Sequence, residues 1–485
     1  MQSALGRAAR DPVPHARQHF GDCLQRCNIL GAMRFLAILW AAGIAAIAAD
    51  RPADQVDRLF AKWNKPGTPG CVVGVFENGK IAYQRGYGEA DLEHHVALTP
   101  STRFYVGSIS KQFTAAVIAI LVREGKLNLQ GSIREYLPEL PAWAEPVKIE
   151  NLIHHTSGIR EVGAVLALSG HGNTANLTEK EFLAVLKRQR ALDSAPSREH
   201  DYRNTNYILL TMIAGRVAGR PFADLATDRL FRPLGMNSTA YVDNADAIIP
   251  DRAIGYSETS AGAYHSDARI PRLIGDGGIF TTIHDLFLWD QYFYQDKNPI
   301  LPPQTLLETG HLQDGTTLEY AFGLSIEKYR GRRIISHDGR FGGYVAERLQ
   351  LPELNLGVVC LCNTGEASPS KLARDIVDVY AGAKLGPPAT TLKPESRPVS
   401  TQPLSADDLI SYPGAYRSDE ADVTYRISMR SGKLFFEGAE LRYVGGDRFD
   451  LDGGNLKGVR STDGRLTGCT LSGGRLKEFP FTKVQ

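Results

Sequence analysis

Apolar and polar positions recur along this chain in several rhythms, and the changes of rhythm mark its parts. Residues 51–64 carry apolar side chains at helical spacing and read as an amphipathic helix. The apolar runs 71–76 and 80–84 flank Asn78-Gly79, the residue pair that a tight β-hairpin turn favours. From Ala115 to Val122 every residue is apolar, and Glu124-Gly125 follows, which predicts a buried helix stopped at a glycine. Further helices are predicted over 179–192, 207–217 and 369–382, and one after Thr281-Thr282 through Leu286, Trp289 and Phe293. Strand-like runs occupy 320–328, 332–336 and 356–362. Strands at both ends of a helical middle predict an antiparallel sheet assembled from the two ends of one domain.

A different rhythm begins after residue 385. Five prolines fall between 385 and 403, where apolar residues are few, and this reads as a semi-rigid linker. Beyond it Val423, Tyr425, Ile427 and Met429 alternate with polar residues, and glycine-containing turns recur every eight to twelve positions. That spacing predicts a small all-β barrel or sandwich. The expected organisation is a leader at 1–49, a main domain at 50–385, a linker at 386–403 and a β-domain at 404–485. Within the leader, Met33-Arg34 precedes fifteen apolar or small residues that end in Ala46-Ile47-Ala48. A signal peptide over 33–48 is expected, with translation starting at Met33. The run is too short to cross a bilayer comfortably, so a periplasmic or secreted location is expected, with no stable membrane span.

The 485 residues carry a net charge of +1 and no long block of one sign, which excludes nucleic acid as an evident partner. Cleavage after Ala48 leaves 50 basic and 52 acidic residues. Of six cysteines, Cys23 and Cys27 precede Met33. Cys71, Cys360, Cys362 and Cys469 each lie in an apolar run and read as buried thiols. Export would permit a disulfide from Cys71 to Cys360 or Cys362. Gly74 to Lys80 has a phosphate-loop spacing, but Ile81 replaces the hydroxyl residue and the glycine belongs to a hairpin. His154-His155 lacks the spacing and acidic partner of a metal site and reads as structural. Gly275-Asp276-Gly277-Gly278 reads as a turn. The segments 160–178 and 255–272 hold no legible code.

Chemistry enters with Ser108-x-x-Lys111 at the start of the 115–122 helix. A serine hydroxyl needs a base beside it, and a lysine one turn away on the same face can serve if burial lowers its pKa. Tyr202-x-Asn204 stands just before the 207–217 helix, and His337-x-Gly339 follows the 332–336 strand. In this order and at these distances, the three signatures resemble those of the penicillin-recognising serine hydrolases. The similarity is greatest to the class C β-lactamase-related branch, which includes D-peptidases and esterases. VGSISKQFTA, IHHTSGI, YRNTNYILL, RPLGMNS and GDGGIFTTIHDL carry it further, over residues 52–385.

The resemblance implies an α+β fold of the β-lactamase/transpeptidase type, an antiparallel sheet with helices, here followed by a small C-terminal all-β barrel. It implies a serine hydrolase that forms an acyl-enzyme through Ser108, with Lys111 and Tyr202 sharing the role of general base. Asn204 would orient Lys111 and meet the substrate amide. The backbone N–H groups of Ser108 and Arg340 would form the oxyanion hole, and Gly339 would leave room for substrate along its strand. Many family members carry lysine where His337 stands. A neutral histidine there favours peptide, amide or ester substrates over rapid β-lactam hydrolysis, although the Arg340 guanidinium could restore a carboxylate contact. Neither cofactor nor metal is expected, and the partners are small-molecule or peptide substrates, cell-wall fragments among them. The alternatives are a penicillin- or peptidoglycan-fragment sensor that acylates without turnover, and an inert interaction module.

Overall fold

A computed structural model describes residues 50–172, 175–295, 297–388 and 404–484. The signal peptide expected at 33–48 lies outside them, as does the proline-rich linker from residue 389 onward. Among the described residues no helix is long and apolar enough to cross a membrane. The catalytic region and the C-terminal strands belong to one compact unit, Pro52–Gln485.

The strand Cys71–Glu77 is buried almost throughout, which is why it reads as a continuous apolar run rather than an alternating one. Its residues split between two cores. Cys71, Val73 and Val75 pack with Val56, Phe60, Ile376 and Val377 from the helices Pro52–Leu59 and Pro369–Ala381 and the turn between helix and sheet. Val72 and Phe76 face the opposite core, with Phe113, Leu210 and Leu286 from the helices Ser110–Arg123, Asn204–Ala218 and Ile283–Tyr292. The sheet therefore lies between two helical layers, the arrangement that buries both faces.

That sheet has six antiparallel strands, in the order Ser325–Tyr329, Arg332–Phe341, Tyr344–Leu351, Leu356–Cys362, Cys71–Glu77, Lys80–Tyr87. The first and last segments of the domain meet at its centre, as the pattern predicts. Asn78 and Gly79 take left-handed conformations, with φ of 51° and 76°, and make the expected tight hairpin. The expected strand over 320–328 begins only at Ser325. The segment before it is a turn, with Ala321 N–H donating to the Leu324 carbonyl. Residues 332–336 continue as strand to Phe341, which carries the His337 motif into the sheet.

The C-terminal strands form a nine-stranded, nearly closed, barrel-like sheet whose terminal strands are the short Ala439–Glu440 and Arg442–Gly445. Tyr416, Ile427, Phe449, Leu456, Phe479 and Phe481 fill it. Its last hairpin joins Leu466–Gly473 to Leu476–Lys483.

Two cysteines depart from the expected buried thiols. Cys71 and Cys362 lie directly opposite in neighbouring strands, 4.0 Å apart at Cα, and form a disulfide. Cys360 faces Val73 in that register, so it stays a thiol, as does Cys469. The bond joins strands 291 positions apart in sequence, so its loss releases a long loop in the unfolded chain. A non-reduced peptide map should show Cys71 linked to Cys362. Cys71→Ser/Cys362→Ser should lose about 2–4 kcal/mol of stability in denaturant unfolding. An unchanged midpoint would mean that the hydrogen-bonded strands alone hold this edge of the core.

Candidate active site

Ser108 lies in a single 3-10 turn, Gly107–Ile109, directly ahead of the helix Ser110–Arg123 rather than in its first α-turn. The spacing still places Lys111 on the same side. Lys111 Nζ is 2.9 Å from Ser108 Oγ, 2.9 Å from Asn204 Oδ1 and 2.8 Å from the Asp276 carbonyl oxygen. The amine is thus held by three acceptors from three segments. Burial pushes its pKa down to about 7; the Asp276 carboxylate opposes the fall and Arg475 adds to it. Burial also raises the Asp276 carboxyl, with Lys111 opposing.

Tyr202 and Asn204 reach this point because Arg203 between them is extended, with φ −130° and ψ 122°, and Asn204 opens the following helix. The Lys111 ammonium nitrogen lies 4.8 Å from the Tyr202 ring centre. The Tyr202 hydroxyl is buried and makes no full hydrogen bond. Burial pushes its pKa well up; Ser108 and then Arg475 pull in the other direction without overcoming that push. With its pKa raised in this way Tyr202 is a neutral phenol, whereas the Lys111 amine changes protonation near neutrality.

His337 joins the cluster from the sheet. Its ring lies 6.1 Å from that of Tyr202, Nε2 is 3.1 Å from the Tyr320 hydroxyl, and Nδ1 is 2.6 Å from the Asp338 carbonyl oxygen. Burial, reinforced by Lys111, lowers its pKa to about 4, so the imidazole is neutral at pH 7. It offers no charge to a carboxylate.

Gly339 is needed for a reason other than the expected one. A Cβ there would lie 2.0 Å from the Val106 carbonyl oxygen and 3.1 Å from the Ser108 nitrogen. The space belongs to the Ser108 turn, not to substrate. Gly107, at φ 52°, is the reciprocal half of this contact, since its Cβ would meet the Arg340 nitrogen at 2.7 Å. The strand Ser325–Tyr329 ends its pairing at Ser336, so the edge beyond faces the serine turn instead. Two glycines thereby bring the main-chain nitrogens of Ser108 and Arg340 to one place. The Arg340 side chain turns outward, and its Nη1 donates to the Gly365 carbonyl at 2.9 Å.

Three contributors escaped the sequence. Asp276 sits in the glycine-rich segment that read as a turn, and the glycine density was the available signal. Glu161, in the segment without legible code, accepts from Asn204 N–H at 2.6 Å and Thr205 Oγ1 at 3.1 Å, tying the helix start in place. Arg475 arrives from the C-terminal barrel. Together with Ser108, Asn204 and Gly277 they line a cavity of about 300 Å³ whose apolar wall includes Val162, Leu177, Phe182 and Leu273. His155 does prove structural. Its Nδ1 accepts from Arg203 N–H at 3.2 Å, and its ring lies 4.3 Å from that of Tyr202.

The structure is similar to the octameric penicillin-binding protein homologue from Pyrococcus abyssi, with a TM-score of 0.58 and 19% identity over 94% of this chain and all of that one. It is also similar to the D-amino acid amidase from Ochrobactrum anthropi SV3, with a TM-score of 0.56 and 20% identity over 69% of this chain and 99% of that one. These likenesses concern the fold. Among curated relatives, a D-aminopeptidase from Gluconobacter oxydans is 28% identical over 78% of this chain and 67% of its own length. A D-aminopeptidase from Brucella anthropi is 27% identical over 65% of this chain and 59% of its own, so the match leaves two fifths of that relative unspanned. The family model described as Beta-lactamase matches residues 55–382, which take in Ser108, Lys111, Tyr202, Asn204 and His337. The chain belongs to that Beta-lactamase family, the serine hydrolases of β-lactamase/transpeptidase fold.

Proposed function

We propose that the protein is an exported hydrolase of small amide, peptide or ester substrates, working through an acyl-enzyme on Ser108. The observation that carries this is the 2.9 Å contact between Ser108 Oγ and a Lys111 amine whose pKa burial brings to about 7. The D-aminopeptidase relatives and the D-amino acid amidase likeness support amides. The disulfide supports an oxidising compartment, periplasmic or extracellular.

In the first step Ser108 Oγ bonds to the acyl carbon while its proton passes to neutral Lys111. The developing oxyanion is met by the main-chain N–H groups of Ser108 and Arg340. The scissile C–N or C–O bond then breaks. Its nitrogen or oxygen takes a proton from the Tyr202 hydroxyl, which Lys111 replenishes. Water next adds to the acyl-enzyme carbonyl, losing its proton to the same base. The Ser108 ester bond breaks and the serine recovers its proton. Asn204 holds Lys111 in line throughout, and neutral His337 fixes the strand through Tyr320 and Asp338.

Ser108→Ala should abolish turnover and the mass gain on the protein with penicillin G or a D-amino-acid ester, with folding intact. Turnover retained in that variant would remove the reading. A Ser108-bound adduct that persists while no product accumulates would favour the non-hydrolysing sensor instead.

The pH dependence has a definite sign. Acylation needs Lys111 without its proton, so kcat/KM for an uncharged ester should fall below about pH 7 and level off above it. Because the Asp276 carboxylate favours the ammonium form, Asp276→Asn should move this limb to lower pH. Lys111→Met should lower kcat/KM by about 10²–10⁴-fold. A limb that stays in place in Asp276→Asn would assign it to another group.

A further inference from the structure

The tip of the last barrel hairpin is Gly474-Arg475, set between the paired residues Gly473 and Leu476. This tip is fastened to the catalytic region by its main chain and its neighbours. The Arg475 carbonyl accepts from Arg203 Nη1, and Arg203 is itself buried and paired with Asp193 and Asp201. Lys477 Nζ pairs with Glu199 at 2.5 Å. Farther along the strand, Arg160 lies 5.0 Å from the Phe479 ring centre and pairs with Glu420. The barrel thus grips Glu199 and Arg203, on either side of Tyr202, and the position of residue 475 follows from contacts that its own side chain does not make.

That side chain reaches into the active-site cavity. Its guanidinium lies 5.3 Å from the Tyr202 ring centre, and Arg475 lines the cavity with Ser108, Asn204 and the apolar wall at Val162 and Phe182. Its ion pair with Glu161 is a single contact of 3.5 Å, and 44% of the side chain remains exposed. Glu161 already spends its oxygens on Asn204 N–H and Thr205 Oγ1. A planar donor fork at the edge of a cleft, only loosely paired, suits a carboxylate in two-point contact. The other candidate cations do not fill this role. His337 is neutral, Lys111 is bound by three acceptors, and Arg340, which also borders the cavity, commits its Nη1 to the Gly365 carbonyl.

We propose that Arg475, supplied by the C-terminal barrel, is the specificity-determining residue of the site, binding a carboxylate on the acyl portion of the substrate. The inference rests on the acyl-enzyme reading above. The acyl side is indicated because Arg475 shares one cavity with Asn204 and the apolar wall, so a substrate would carry an apolar group and an acidic group on the acid half of its scissile bond. An N-terminal ammonium in the same place would be repelled. The chain then differs in substrate charge from a hydrolase of free amino-terminal residues.

The test uses 4-nitrophenyl esters of N-succinyl-D-phenylalanine and N-succinamoyl-D-phenylalanine, which differ only in carboxylate against carboxamide. The 4-nitrophenyl ester of N-(trimethylammonioacetyl)-D-phenylalanine, whose quaternary nitrogen stays charged at every pH, serves as the ammonium probe. Rates are measured as Ser108-dependent kcat/KM at pH 8.5, above the Lys111 limb. The native enzyme should prefer the succinyl ester over the succinamoyl ester by at least about tenfold. Arg475→Gln should bring that ratio to about one, and Arg475→Glu should turn preference toward the ammonium probe. The main-chain anchor survives both substitutions, and an unchanged thermal midpoint confirms it. Equal losses on both succinyl-type esters would make Arg475 a structural or pKa-setting residue and overturn the proposal. So would a ratio that persists in Arg475→Gln but collapses in Arg340→Gln. No Ser108-dependent turnover of any ester would instead strike down the acyl-enzyme reading itself.

Discussion

A primary amine kept out of water next to a serine hydroxyl is the constraint on which the rest of this structure depends. An ammonium group in bulk water is a proton reservoir of no use to an alcohol, because its pKa is more than three units too high. Lys111 is fully buried, so the charged form loses hydration that three acceptors only partly replace. Keeping that amine dry requires the apolar helix that carries it, the helix Asn204–Ala218 against it, and the sheet behind both. Gly323, with φ 72°, lies so close to the main chain of Lys111 and Gln112 that a Cβ would clash at 2.5 Å. The layered fold is therefore part of the chemistry, since a looser core would hydrate the amine and restore its ordinary pKa.

The other groups divide the remaining work according to the element that carries them. Helix starts present Ser108 and Asn204, where unsatisfied main-chain N–H groups are available. Ser108 N–H is assigned to the oxyanion site in the proposed mechanism, while Asn204 N–H is committed to Glu161. The strand Arg332–Phe341 contributes Arg340 N–H and His337, and its approach is limited by the contact between Gly107 and Gly339. An added methyl at either glycine would separate the two nitrogens and misplace a donor by the ångström that transition-state stabilisation cannot spare. Burial, with Lys111 adding to it, holds the His155 imidazole well below its usual pKa. It packs Tyr202 in place.

The proposed role of Arg475 changes how the β-domain is understood. As a mere appendage it would contribute surface. Pinned through Arg203 and Lys477, it supplies a wall of the active-site cavity and a charge that acts on both Lys111 and Tyr202. Glu161 lies between the two parts, capping one helix while pairing loosely with the barrel's arginine.

What could be read directly from the chain was whatever depends on neighbours in sequence. Ser108 and Lys111 are three residues apart, so any helical turn puts them on one side. Asn78-Gly79 takes the left-handed angles of a hairpin turn whatever surrounds it, and the unbroken apolar run of Cys71–Phe76 requires two covered faces. The motif text at Tyr202-x-Asn204 and His337-x-Gly339 pointed to the remaining site residues by resemblance, since spacing alone cannot show that segments so far apart converge. Tertiary structure decided the rest. The choice of Cys362 over Cys360 as partner for Cys71 depends on strand register, which a shift of two residues would reverse. Nothing local to Gly339 shows that the space beside it is filled by the Ser108 turn. Glu161 and Arg475 are ordinary charged residues in loops with no local signature. They acquire meaning only through docking contacts such as Arg203 to Arg475, 272 positions apart, because electrostatic influence follows distance in space and not in sequence.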